Sequence, residues 1–186
     1  GVIAALLAQG VREITLLGQT VNAYGRSKAA GEVLLEQLGA AGAPWLCIRT
    51  SWVYAPWGRN FVRTIANAAR TRPELRVVDD QRGRPTSAEG LARTSLGLLL
   101  ADATGFAHAT DGDECSWFEF ACEIVRLART GAEPAAVLPC GSDEYPRPAP
   151  RPAYSVLDIS RTEALIGPMT PWQVALADVM RRLDPP

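Results

Sequence analysis

Tyr24 and Lys28 stand four residues apart in Tyr24-Gly25-Arg26-Ser27-Lys28, and Lys28 is the chain's only lysine. Every other basic side chain is an arginine. On a helix, positions i and i+4 share a face, so the phenol and the ammonium can converge. An ammonium beside a phenol lowers the phenol's pKa from about 10 towards neutrality. A tyrosine so placed can give or take a proton near neutral pH. An ordinary helix start with an exposed lysine fits the same five residues.

The rest of the composition narrows the setting. The chain has 186 residues and a formal net charge of -1. With no basic excess, neither nucleic acid nor an anionic membrane is the expected partner. The apolar run Gly1–Ala8 is too short to span a bilayer and has no basic flank. Cys47, Cys115, Cys122 and Cys140 show no C-x-x-C spacing, and His108 is the only histidine. They read as buried or half-buried thiols in a reducing cytoplasm, with no zinc site. The chain begins at glycine, which points to a fragment of something longer.

The elements that must carry the Tyr-Lys pair alternate between helix and strand, the pattern of an α/β architecture. Helical spacing runs from Lys28 to Leu38 and stops at Gly39 and Gly42. Trp45–Tyr54 reads as a buried strand opening into a loop at Ala55-Pro56. Asn60–Arg72 reads as a helix stopped by Pro73, followed by a short strand at Leu75–Val78 and a polar turn over Asp79–Thr86. Ser87 caps a helix to about Asp102, and Gly105–Ala109 is a further strand. Ser116 with Glu119 forms a capping box for a helix ending near Thr130-Gly131. Glu144–Pro152 is a proline-rich extended loop. Tyr154–Asp158 is predicted as a strand, and Pro171–Leu183 as an amphipathic helix. No glycine-rich G-x-G-x-x-G turn, which would seat a pyrophosphate at a helix N-terminus, occurs anywhere.

From Asn22 onward the chain resembles the extended short-chain dehydrogenase/reductases, and among them the dTDP-4-dehydrorhamnose reductases. The stretches NAYGRSKAAGE, IRTSWVYAPWGRNFV, VVDDQRGRPTSA, HATDGDECSWFEFA and RPAPRPAYSVLD carry the likeness, in the family's order, over about 160 residues. The resemblance implies the C-terminal part of a doubly wound Rossmann-like sheet plus a small α/β substrate-binding lobe, with the N-terminal cofactor half missing. It implies NADPH or NADH as cofactor and a dTDP-sugar as substrate, in a cytoplasmic enzyme of rhamnose and cell-surface polysaccharide synthesis. A homo-oligomer is left open.

The resemblance also implies roles. Tyr24 would protonate the sugar C4 oxygen while hydride adds to C4. Lys28 would hold the nicotinamide ribose and depress the tyrosine's pKa, so that both residues border the cofactor. Trp52 would stack on the apolar face of the hexose. Asn60 and Arg151 would serve the sugar and the diphosphate, the latter a task that suits an arginine fork. Each has a plainer alternative: Trp52 as core, Asn60 as a helix cap, Arg151 as a surface loop residue. Trp117 and Phe120, by helical spacing, read as core rather than site. Asp79, Asp80 and Gln81 read either as a solvated turn or as the edge of the binding site.

The first 25 residues depart from that family. Gln9–Gly25 resembles a stretch of the radical-SAM tRNA methylthiotransferases, although their C-x-x-x-C-x-x-C cluster is absent. The expectation is therefore a chimeric join, with residues 1–23 as an atypical segment and 24–186 as the reductase part; a divergent N-terminus with an accidental likeness is the plainer alternative. Such a chain is expected not to turn over alone. A non-catalytic regulatory subunit, resembling the β subunit of methionine adenosyltransferase, is the competing reading; a methylthiotransferase fragment is the third.

Overall fold

The computed structural model describes the backbone of residues 14–18 and 23–27 and the whole of residues 28–128, 134–145 and 151–183. Most of the methylthiotransferase-like stretch, the helix stop at Thr130-Gly131, and residues 146–150 of the proline-rich loop lie outside the described residues.

A parallel three-stranded sheet organises the first part. It consists of β1 (Ile14–Gly18), β2 (Leu46–Thr50) and β7 (Gly105–His108), in the order β1-β2-β7. β1 comes from residues that the sequence sets apart as an atypical segment. The middle strand is β2, and its side chains alternate between two covered faces. Cys47 meets Leu35 of helix α1 (Ala23–Ala40), with Trp45 and Phe106 beside them. Leu46 and Ile48 point the other way, onto Leu91 and Leu98 of α3 (Ala88–Leu100). Helices on both faces of a parallel sheet make the α/β architecture expected from the alternating pattern. α1 ends two residues later than its sequence pattern predicts. Gly42, at φ 84°, then reverses the chain in a conformation that suits glycine.

The second part is built on a parallel pair, β4 (Glu74–Val78) with β9 (Ala136–Cys140). Helices α2 (Phe61–Thr71), α4 (Trp117–Leu127) and α6 (Trp172–Leu183) surround its core, with Val62, Ile65, Phe120, Ile124, Trp172 and Leu176 all buried. Two short strand pairs join the two parts. These are β3 (Val53–Tyr54), which pairs in parallel with β6 (Thr86–Ser87), and β5 (Arg82–Gly83), which pairs antiparallel with β8 (Cys115–Ser116). Among the described residues no helix is long and apolar enough to cross a membrane.

Two expectations are corrected. The strand expected over Tyr154–Asp158 shrinks to a single bridge, Arg82 to Tyr154. Its neighbour β5 is only two residues long, so the backbone has nothing further to pair with. The segment instead docks on the end of β7: His108 Nδ1 lies 2.7 Å from the Asp158 carbonyl, and the Thr162 hydroxyl donates to the His108 carbonyl at 2.6 Å. Thr162 belongs to α5 (Ser160–Ile166), a helix too short to announce itself by periodicity. β9 is the other surprise. Pro139 sits within it, opposite Val77, and a proline argues against a strand unless the strand lies at an edge.

The capping box on α4 is as expected. Ser116 Oγ accepts from Glu119 N at 3.1 Å, and Ser116 N donates to Glu119 Oε2 at 2.7 Å. The same hydroxyl donates to Asp79 Oδ1 at 2.5 Å, tying the helix start to the turn after β4. Replacing Ser116 with Ala should therefore destabilise the fold by about 1–2 kcal/mol. Urea unfolding measures this, and an unchanged midpoint would show that the cap contributes nothing.

Candidate functional site

The Tyr24–Lys28 helix and Trp52 both follow strands of the parallel sheet at its carboxyl edge. In the register, Gly18 at the end of β1 lies opposite Thr50 at the end of β2. Tyr24 follows Gly18 by six residues, in the first turn of α1; Trp52 follows Thr50 by two. Open parallel sheets bind ligands at this edge. Lys28 lies one helical turn after Tyr24 and is half-buried. The Tyr24 side chain lies outside the described residues, so its convergence with Lys28 rests on helix geometry alone.

Trp52 breaks what the sequence presents as one strand. Its φ is 48°, in the left-handed region where a bulky residue costs about 1–3 kcal/mol. Hydrogen bonds on either side hold it there. Ser51 Oγ donates to the Arg84 carbonyl at 2.8 Å, Thr86 Oγ1 donates to the Ser51 carbonyl at 2.6 Å, and Thr86 N donates to the Trp52 carbonyl at 3.2 Å. The indole is half-buried rather than part of the deep core. It stacks on Trp117, with ring centroids 3.6 Å apart and planes 15° from parallel.

Asn60 is a helix cap. Its Oδ1 accepts from Arg63 N at 3.2 Å, and its Nδ2 donates to the Ala55 and Trp57 carbonyls at 2.8 and 3.1 Å. Both amide hydrogens are thus engaged in shaping the loop between β3 and α2. One of its three side-chain bonds caps α2 and the other two hold the loop before it.

A cleft of about 680 Å³ opens between α2, β4 and the start of α4. Phe61, Ile65, Val77 and Trp117 give it apolar walls, and Tyr145 stands near its rim. Arg151 and Gln81 line it as well. Among the described residues the Arg151 guanidinium makes no hydrogen bond or ion pair, whereas Arg76 beside it is paired with Glu144 at 2.7 Å. The turn after β4 is firmly held: Asp80 accepts from Ser142 N at 2.9 Å and from Ser142 Oγ at 2.6 Å, which keeps its carboxyl below the usual range. Gln81 Nε2 donates to the same hydroxyl at 2.6 Å. Of Asp79, Asp80 and Gln81, Gln81 alone lines the cleft.

Of the five candidates, only Arg151 lines this cleft. Trp117, read from sequence as core, both packs on the core and forms part of the wall, with Trp52 stacked on it. Helical periodicity cannot tell a core tryptophan from one at the mouth of a cleft. No sequence signal singled out Asp111. It is buried beside the same edge, where Oδ2 accepts from Ser87 N at 2.7 Å and from the Tyr54 hydroxyl at 3.4 Å. Burial pushes its pKa up to about 6, against the opposing hydrogen bonds from Ser87.

The family described as RmlD substrate binding domain matches residues 18–184. A dTDP-4-dehydrorhamnose reductase of Burkholderia thailandensis is 38% identical over 178 residues, covering 88% of this chain and 59% of its own length. The spore coat polysaccharide biosynthesis protein SpsK of Bacillus subtilis is 40% identical over 159 residues, covering 85% of this chain and 53% of its own length. A crystal structure of dTDP-4-dehydrorhamnose reductase from Bacillus anthracis, in complex with NADP, is similar with a TM-score of 0.79 at 30% identity, covering 89% of this chain and 64% of that one. The chain thus spans just over half the length of the curated relatives it matches.

The raised pKa of Asp111 has a direct consequence for stability. The folded state keeps its proton to higher pH than the unfolded chain does, with the pKa moved from the ordinary 3.8 up to about 6. Across that window the unfolded state binds fewer protons, so stability falls as pH rises. Above it, ionisation in the buried site costs roughly 2–4 kcal/mol. Urea midpoints taken from about pH 4 to about pH 7 should fall for the wild type, and the fall should be markedly smaller in Asp111→Asn. Parallel curves for the two proteins would place the titration elsewhere.

Proposed function

Because the chain belongs to the RmlD substrate-binding domain family, we propose that it is the substrate-binding part of a nucleotide-sugar reductase. The reaction is reduction of dTDP-4-dehydro-L-rhamnose to dTDP-L-rhamnose with NADPH or NADH. The observation that carries the reading is positional. The Tyr24–Lys28 helix begins, and the Trp52 loop turns, at the same carboxyl edge of one parallel sheet.

On this reading the apolar walls of the cleft take the flat base, and Arg151 meets the diphosphate through charge-assisted bonds. Trp52 offers an indole face to the C–H face of the hexose. Asn60 acts by holding the loop that follows Trp52 rather than by touching the sugar. Tyr24 gives its proton to the C4 oxygen, and the Lys28 ammonium eases that transfer by favouring the phenolate that remains.

A nicotinamide cofactor would supply the hydride to C4. At one end of that cofactor Lys28, half-buried on α1 and one helical turn after Tyr24, would donate to a ribose hydroxyl. None of the 186 residues forms a glycine-rich turn of the G-x-G-x-x-G kind for a pyrophosphate. We therefore propose that these residues alone bind a dTDP-sugar without turning it over. Hydride transfer needs the donor held about 3–3.5 Å from the carbon.

Two measurements test this. In titration calorimetry with dTDP-L-rhamnose, Arg151→Ala should bind more weakly by about 1.5–3 kcal/mol. Equal binding by wild type and variant would remove Arg151 from the site. In an NADPH oxidation assay with dTDP-4-dehydrorhamnose, the 186 residues should give no turnover above background, and clear turnover would overturn that part of the proposal.

A further inference from the structure

We infer that Trp117 and Gly83 act together as positioning residues for Trp52, and so set how the sugar end of a nucleotide sugar is held; this rests on the dTDP-sugar reading above. Left to itself, Trp52 would be poorly fixed. Its backbone is strained at φ 48°, and its side chain is only half-buried. Two contacts restrict the ring. One is the near-parallel stack on Trp117 at 3.6 Å. The other is Gly83, where a Cβ would come within 2.6 Å of Trp52 Cε2 and Cζ2 and 2.9 Å of Nε1. Real Cβ atoms do not approach so closely, so the ring occupies space that only glycine leaves open.

Gly83 and Trp117 belong to one locked unit. In the β5–β8 ladder Gly83 pairs with Cys115 and Arg82 with Ser116, and Trp117 is the next residue. The capping box fixes the start of α4 at that point. Arg82 clamps the unit from both sides, pairing with Glu114 at 3.0 Å and Glu119 at 3.3 Å. Trp52 is thus held by a cradle whose two parts cannot move independently. Trp117 also abuts Phe61 at 4.6 Å, and both line the cleft that holds Arg151. One indole therefore serves the nucleotide cleft and supports the residue proposed for the sugar.

A purely structural role for these two residues would weaken dTDP and dTDP-L-rhamnose binding alike. A positioning role lowers the preference for the sugar-bearing ligand over dTDP. Calorimetry of the 186-residue chain with both ligands separates the two, alongside far-ultraviolet circular dichroism for the exciton band of the stacked indoles. Gly83 lies outside the cleft lining, so Gly83→Ala should keep dTDP affinity, weaken the exciton band, and lose about tenfold in preference for the sugar-bearing ligand. Trp117→Leu should lose the preference to a similar extent, and Trp117→Phe, which keeps a ring under Trp52, should retain most of it. A wild-type preference that survives in both Gly83→Ala and Trp117→Leu overturns this inference alone. A wild type that binds neither ligand overturns the dTDP-sugar reading and this inference with it. If Gly83→Ala does not fold, the Trp117→Leu ratio decides.

Discussion

At the carboxyl end of β2 the chain must leave a buried parallel strand and turn across the face of a second structural unit within two residues. It does so through a left-handed tryptophan. The conformation is unfavourable on its own and persists because its neighbours over-determine it. The Ser51 and Thr86 hydroxyls, a backbone bond to Trp52, the Trp117 stack and the missing side chain of Gly83 all act on the same few atoms. The β3–β6 pair and the first residue of α3 follow from that turn, since Val53 lies opposite Thr86 and Ser87 caps the helix.

The arginines divide into two groups, and the division bears on the cleft. Arg49 grips Glu32 with two bonds, at 2.9 and 2.7 Å, and Arg126 grips Glu123 with two, at 2.7 and 2.6 Å. Arg76 is held by Glu144 and Arg82 by Glu114 and Glu119. A planar fork suits such two-pronged pairing better than an ammonium does, which is a physical reason for a chain to favour arginine in these roles. Arg151 lines the cleft and, among the described residues, has no such acid. An exposed guanidinium without a carboxylate still has its donors available to another anion.

Much of this was legible in sequence, for reasons that differ by element. α2 and α4 announced themselves through their caps, since Asn60 and Ser116 are residue types that satisfy orphan N–H groups, and both do so here. β2 was legible as an apolar, β-branched run, but its break at Trp52 was not: left-handed backbone normally signals glycine or asparagine, and here tertiary contacts impose it on a tryptophan. β9 was hidden by Pro139, and α5 by its brevity. At the site, Arg151 was named by the family resemblance and not by its own surroundings in sequence, where a place between prolines suits a surface loop residue equally; it is exposed and lines the cleft. Asn60 carried two readings, and the bonds it makes cap α2 and hold the loop before it. Trp117, read as core, packs on the core and lines the cleft as well, since periodicity reports which face of a helix is apolar, not everything that face meets.

Asp111 shows what lies beyond both pattern and resemblance. A carboxylic acid 3% exposed, in the segment between β7 and β8, is an odd choice where an uncharged residue would avoid the desolvation penalty. Its contacts give it a structural task. It accepts from the backbone of Ser87 and lies 3.3 Å from the Ser87 hydroxyl, which itself accepts from Gly90 N to cap α3. It also meets the hydroxyl of Tyr54, a ring buried against Phe120 in the core of the second unit. One side chain therefore joins the end of the parallel sheet, the start of α3 and the strand that follows Trp52. Burial favours the protonated acid, whereas the Ser87 bonds favour the carboxylate, and the pKa near 6 reflects burial prevailing in part. Beside the β3–β6 and β5–β8 ladders, the two structural units thus also meet through this buried acid, while each keeps its own apolar core.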